Sequence, residues 1–220
     1  MAIKIGGTTV IDDSANITTS VGGFKTVNGT GITGSGDIEA GGSRVLLNRT
    51  VMSNTSSYNF TSLNSSLYDN YYVEWHGISP SNGGSSQFDL YLSDDGLTST
   101  DSDIATRITR NEGTVNVLNK SGRVHIAESV STYNSWNGGN CSGFLTLWNM
   151  HSGSDLSSNV TGVSSFMTNG GTQCINTFGA HSTIDGGSNN QNTHDSFKMN
   201  FNGGSTNMSS GVIVVYGILK

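Results

Sequence analysis

Polar and apolar residues alternate along this chain in short runs, and the runs are separated by clusters of Gly, Asn and Ser. In Phe88-Asp89-Leu90-Tyr91-Leu92, residues 88, 90 and 92 fall on one face of an extended strand. In Tyr72-Val73-Glu74-Trp75-His76, Val73 and Trp75 share one face and Glu74 takes the other. A helix would need apolar positions three and four apart, sustained over at least about ten residues. The one extended stretch without Gly or Pro and with some helix formers, 101–111, lacks such a stripe. The pattern predicts strands at 44–52, 57–60, 71–77, 87–93, 104–110, 114–118, 122–127, 142–148, 156–167, 172–180, 196–201 and 210–219, with turn signals between them. Strands of this length and spacing predict an all-β fold, an antiparallel β-sandwich of jelly-roll type.

Residues 1–41 depart from that pattern. Their only aromatic residue is Phe24, and their apolar residues are too thinly spread to bury a core. A segment that small needs a partner, and self-association is the simplest one. Residues 1–41 therefore read as an attachment and oligomerisation segment, with Ile3, Ile5, Val10, Ile11, Phe24, Val27, Ile32 and Ile38 as its contacting side chains. Residues 42–220 read as a β-sandwich head domain.

Composition narrows the partners. Only 12% of residues are charged, while 8 Phe, 7 Tyr and 3 Trp are available for a core. That balance argues for a folded chain, because disorder couples low hydrophobicity to high charge. The net charge is −6 and the 10 Lys and Arg are scattered singly. Nucleic acid and anionic membrane surfaces, both bound through clustered cations, are poor partners for such a chain. The opening MAIKIGGTTVIDD has no signal-peptide core and no 18-residue apolar run follows. The expectation is a soluble chain that, if it acts outside a cell, leaves by a route other than a signal peptide, release by lysis being one such route. Cys141 and Cys174 match no zinc spacing; two buried thiols are the favoured reading, with one disulfide as the alternative.

Gly29-Thr30-Gly31-Ile32-Thr33-Gly34 matches G-x-G-x-x-G, yet SGDIEAGGSRVLL follows it and offers no helix N-terminus for a pyrophosphate. Tight turns, with Asn28-Gly29 as a hairpin signal, explain these glycines. Asp94, Asp95, Asp101 and Asp103 form the densest acidic cluster; solvated loop acids are the plain reading and Ca²⁺ the candidate metal. His181 and His194 with Asp185 or Asp195 are a weaker metal candidate on one long connection. Glu74, Glu112 and Glu128 are the carboxylates for glycoside hydrolysis, but no motif pairs them. No G-x-S-x-G marks a nucleophile. The polar loop STYNSWNGGN offers aromatic planes and amides together, so Tyr133, Asn134, Trp136, Asn137 and Asn140 are the candidate glycan-binding residues. The competing reading is that Trp136 plugs one end of the sandwich.

Several of these pieces also resemble known sequences. AIKIGGTTVIDDSANIT and FKTVNGTGITGSGDIEAGG resemble the N-terminal elements of bacteriophage virion fibre proteins, those of cyanophages in particular. YDNYYVEW, GISP, LYLSDDG and the closing SGVIVVYGI resemble a β-sandwich domain carried on such fibres. The resemblance covers both ends and the first half of the body; 111–195 carries no motif of the kind. It implies a virion structural protein, commonly a homotrimer, attached through its N-terminal segment to other virion proteins. The expected function is a tail fibre whose head binds a host surface glycan without catalysis and without a cofactor. The alternative is a head-attached fibre, decoration or tail-assembly protein touching only other virion proteins, and a polysaccharide depolymerase is the third reading.

Overall fold

Fourteen strands, numbered in chain order, carry the structure, a computed structural model that describes residues 3–5, 8–11, 44–63, 66–82, 86–93, 96–97, 104–110, 115–118, 122–131, 140–150, 158–168, 170–182 and 194–219. The chain separates into two compact units, Met1–Ser43 and Arg44–Lys220. In the first, β1 (Ile3–Ile5) pairs antiparallel with β2 (Thr8–Ile11), and Ile3 stands opposite Ile11. The strands are separated by Gly6-Gly7, a pair suited to a two-residue hairpin connection. Phe24, Val27, Ile32, Ile38 and the Asn28-Gly29 turn lie outside the described residues.

The second unit is a two-layer antiparallel β-sandwich. Its larger sheet holds eight strands: β3 (Arg44–Val51), β14 (Met208–Leu219), β5 (Tyr68–Pro80), β10 (Cys141–Trp148), β11 (Asn159–Met167), β12 (Gln173–Ser182), β7 (Ile104–Arg110) and β8 (Val115–Leu118), in that spatial order. The smaller holds β4 (Ser57–Phe60), β13 (Ser196–Phe201), β6 (Ser86–Ser93) and β9 (Val124–Val130). No helix among the described residues is long and apolar enough to cross a membrane.

The core follows from the two-residue period. Tyr71, Val73 and Trp75 of β5, Leu145 and Leu147 of β10, and Ile213 and Val215 of β14 point inward and are fully buried. They meet Phe88, Leu90 and Leu92 of β6 and Phe197, Met199 and Phe201 of β13. Trp75 sits at the centre, edge-on to Phe88 with ring centroids 6.0 Å apart. Its indole crosses β10 over Gly143, where an added Cβ would stand 2.6 Å from the ring and 2.3 Å from the Val163 carbonyl oxygen. Glycine is therefore the residue that lets the tryptophan lie there. The indole N–H then donates to Cys141 Sγ at 3.3 Å.

Both cysteines are buried free thiols. Cys141 is paired with Phe166, and Phe166 with Cys174. The thiols thus lie two strands apart, a backbone separation of about 9.6 Å that exceeds what a disulfide spans. Burial pushes the Cys141 thiol up to about 12.

The edge of the smaller sheet is closed from across the sandwich. A register shift between β6 and β9 sets Asp89 opposite His125 and Phe88 opposite Ala127, so Ile126 is the extra residue. Its carbonyl accepts from Ser164 Oγ at 2.7 Å and from Asn176 Nδ2 at 3.2 Å, both on the facing sheet. Two buried polar side chains thereby satisfy a backbone group that the bulge takes out of the ladder.

Candidate functional site

The residues that leave the core by alternation build the outward face of the eight-stranded sheet. Tyr72, Tyr216 and Thr146 form one row across β14, β5 and β10. Phe144 and Trp148 lie two residues to either side of Thr146, about 13 Å apart along the strand. Phe144 is 43% exposed and Trp148 40% exposed. Neither is needed to fill the interior, since Leu145 and Leu147 of the same strand do that.

These rings are held in place. Tyr72 stacks on Phe144 at 5.8 Å and tilts against Tyr216 at 6.1 Å. The Arg44 guanidinium sits 3.7 Å over the Tyr72 ring. Trp148 Nε1 donates to Thr161 Oγ1 at 2.9 Å, which ties the indole to the neighbouring strand. Tyr216 donates its hydroxyl to Glu74 Oε1 at 3.0 Å, and His76 Nε2 stands 3.7 Å from the same oxygen. Burial, the hydrogen bond to Glu74 and its charge raise the pKa of Tyr216, against the opposing charge of Arg44. The phenol keeps its proton and acts as a donor. The arrangement offers two aromatic platforms with hydroxyl, carboxylate and imidazole groups beside them, which is what a ring with an apolar face and polar rim requires.

A second polar group lies on the opposite outward face, within the smaller sheet. His125 donates Nδ1–H to Asp89 Oδ1 at 2.6 Å, and Arg123 reaches Asp89 Oδ2 at 3.0 Å. His125 Nε2 lies 3.2 Å from Glu128 Oε1 without the alignment of a hydrogen bond. Asp89 and His125 are fully buried. Burial works against the charge of Arg123, but the hydrogen bond to Tyr91 and the charge of Asp89 outweigh it and raise the pKa. The buried Asp89 and His125 hold β6 and β9 in register and are themselves closed to a ligand.

The sequence candidates fall as follows. Asn140 is exposed at the start of β10, while Tyr133, Asn134, Trp136 and Asn137 lie outside the described residues. So do Asp94, Asp95, Asp101 and Asp103, and among the described residues no three His, Cys, Asp or Glu converge as metal ligands. His181 is exposed, whereas His194 is buried. His194 Nδ1 lies 3.0 Å from Ser158 Oγ, and that hydroxyl donates to the Asn149 carbonyl at 3.2 Å. The hydroxyl thus bridges the imidazole and the Asn149 carbonyl. Asp195 Oδ1 accepts from Ser196 Oγ and from the Gly96 amide. Glu74 and Glu128 sit on opposite faces of the sandwich, so they do not form the facing pair that glycoside hydrolysis requires.

The open aromatic face is a candidate site that the sequence did not single out. Its signal was present as aromatic residues at positions of both parities, Tyr72 beside Tyr71 and Phe144 and Trp148 flanking Leu145 and Leu147. One core cannot bury both sets. Compared with models of protein families, with curated proteins and with solved structures, the chain matches none.

Proposed function

We propose that the chain is a non-catalytic recognition module of a virion fibre, whose β-sandwich head binds a surface glycan through the open face of its larger sheet. The observation that carries this is the pair of exposed, pre-positioned aromatic rings, Phe144 and Trp148, on a rigid strand. Their separation suits a short oligosaccharide lying across Thr146, with one sugar ring on each platform. Thr161, Glu74 and His76 stand ready for its hydroxyls. Affinity per head is weak, since each stacking contact contributes modestly, and many heads on one particle supply the strength. The attachment role belongs to residues 1–41, where β1 and β2 make a hairpin too small to be stable alone.

The test is a glycan array probed with the intact chain, alongside a Phe144→Ala/Trp148→Ala variant. Binding that the double variant loses supports the reading. Retained binding of oligosaccharides of three or more units, long enough to reach both rings, or no binding to any such oligosaccharide, overturns it. A second reading, a decoration or tail-assembly protein that touches only virion partners, draws on Leu46 and Val51, exposed on the sheet-edge strand β3. Under that reading, Leu46→Ser/Val51→Ser particles lose the chain, while the aromatic double variant assembles and infects normally.

A further inference from the structure

A cleft of about 450 Å³ opens where the sandwich ends at β3 and β4. These are the outer strands of the two sheets, and they do not pair with each other. Eight residues line the cleft: Leu47 and Asn48 from β3, Asn59 and Phe60 from β4, then Thr61, Ser62, Leu67 and Tyr68. This set shares no residue with the aromatic face. Its volume is within the usual range for small-ligand sites, about 300–1,000 Å³.

The lining fixes the chemistry. Not one of the eight side chains is charged, so an anionic or cationic ligand would be desolvated there without a partner. Leu47, Phe60 and Leu67 are apolar, Asn48, Asn59, Thr61 and Ser62 carry amides or hydroxyls, and Tyr68 offers both a ring and a hydroxyl. Asn48 Oδ1 already accepts from Tyr58 and Thr50, at 3.1 and 2.7 Å, which holds that amide in place. Tyr68 is held as well: its ring lies against Gly217, where an added Cβ would come within 2.6 Å. Leu67 is 51% exposed, an apolar side chain kept in water on the cleft wall.

From the size, the neutral lining and the mixture of apolar and hydrogen-bonding groups, we infer that this cleft is a second ligand site, for an uncharged pyranose of one or two units. The ligand class follows from the lining alone and does not depend on the aromatic face. Sugar acids and sugar phosphates are rejected there, because no cation is among the described residues that line the site.

Saturation-transfer NMR on the intact chain tests this, with neutral methyl pyranosides and disaccharides against glucuronate and glucose 6-phosphate. Three variants accompany the wild type: Thr61→Trp, which blocks the cleft from an exposed position; Leu67→Ala, which trims its wall; and Phe144→Ala/Trp148→Ala. The neutral sugars are expected to bind the wild type and the aromatic variant alike. Thr61→Trp is expected to weaken them at least tenfold and Leu67→Ala about threefold, with the charged sugars silent throughout. Equal binding to wild type and Thr61→Trp overturns the inference, as does equal binding of charged sugars or no neutral-sugar binding. A change in oligomeric state of Thr61→Trp by size exclusion also overturns it, since the cleft then holds a strand of a second copy. Loss confined to the aromatic variant leaves the open-face reading standing and removes this one.

Discussion

On the outward face of the eight-stranded sheet, Phe144 and Trp148 stand nearly half exposed; on the outward face of the four-stranded sheet, Asp89 and His125 are sealed from solvent. Both faces arise from the same alternation, and both carry residues that the core does not use. They differ in how their polar groups are satisfied. Asp89 spends one oxygen on His125 and the other on Arg123, so its bonding capacity is committed to the fold. On the aromatic face, the internal contacts fix ring positions yet leave much of the rings' surface in water. The first arrangement holds structure in register, and the second keeps a surface available.

Breaking that contrast at its strongest point gives the largest effect. Asp89→Ala leaves His125 and Arg123 in place without their shared carboxylate, and the expected loss is about 3–5 kcal/mol in urea unfolding. Glycan binding measured below the lowered melting temperature is expected to survive. A variant as stable as wild type would place these charges outside the framework role.

The mirror experiment is Phe144→Ala/Trp148→Ala. The expected stability loss is about 1–3 kcal/mol, from the stack on Tyr72 and the Thr161 hydrogen bond, while affinity for an oligosaccharide of three or more units falls at least tenfold, about 1.4 kcal/mol. A large loss of stability with unchanged binding would exchange the roles of the two faces.

The interior differs from both surfaces in its response to pH. The Cys141 thiol is pushed up to about 12, above its ordinary value of 9.0. Between those values the unfolded chain releases a proton that the folded chain retains. Stability is therefore fully present below about pH 9 and is lost as pH rises towards 12, by up to about 1.4 kcal/mol per unit. Urea midpoints across pH 8 to 10.5 measure this slope, and Cys141→Ala is expected to flatten it. Burial raises the Tyr58 phenol as well, so it adds to the loss at the alkaline end.

The smallest expected effect is that of Arg44→Ala. Its cation–π contact with Tyr72 is near the surface and contributes about 0.5–1 kcal/mol. The thermal midpoint is expected to shift by only a few degrees, with a modest loss of glycan affinity as the Tyr72 ring loosens. A tenfold loss of affinity with unchanged stability would instead make Arg44 a direct ligand contact.

Much of the fold was legible beforehand because each strand states its own period. The expected 57–60, 104–110 and 196–201 coincide with β4, β7 and β13, and Phe88, Leu90 and Leu92 do share the buried face. The boundaries of β5 were not legible. It runs from Tyr68 to Pro80, three residues beyond the expected span at each end, because neighbouring β14 continues the ladder past the local alternation. The candidate site was less visible still. Aromatic and amide composition drew attention to a loop, whereas the exposed rings sit within strands, where their neighbours made them look like core.

By itself, the sequence determined an all-β chain and the inward set of strands such as Phe88, Leu90 and Leu92 of β6. These properties depend on the two-residue period and on composition, which are local. Only the tertiary structure decided which outward residues stay exposed, that Asp89 meets His125 across a bulge, and that β3 and β4 border an open cleft. Each of these depends on which strands become neighbours and where a sheet ends, and pairing between distant segments leaves no trace in the period of either one.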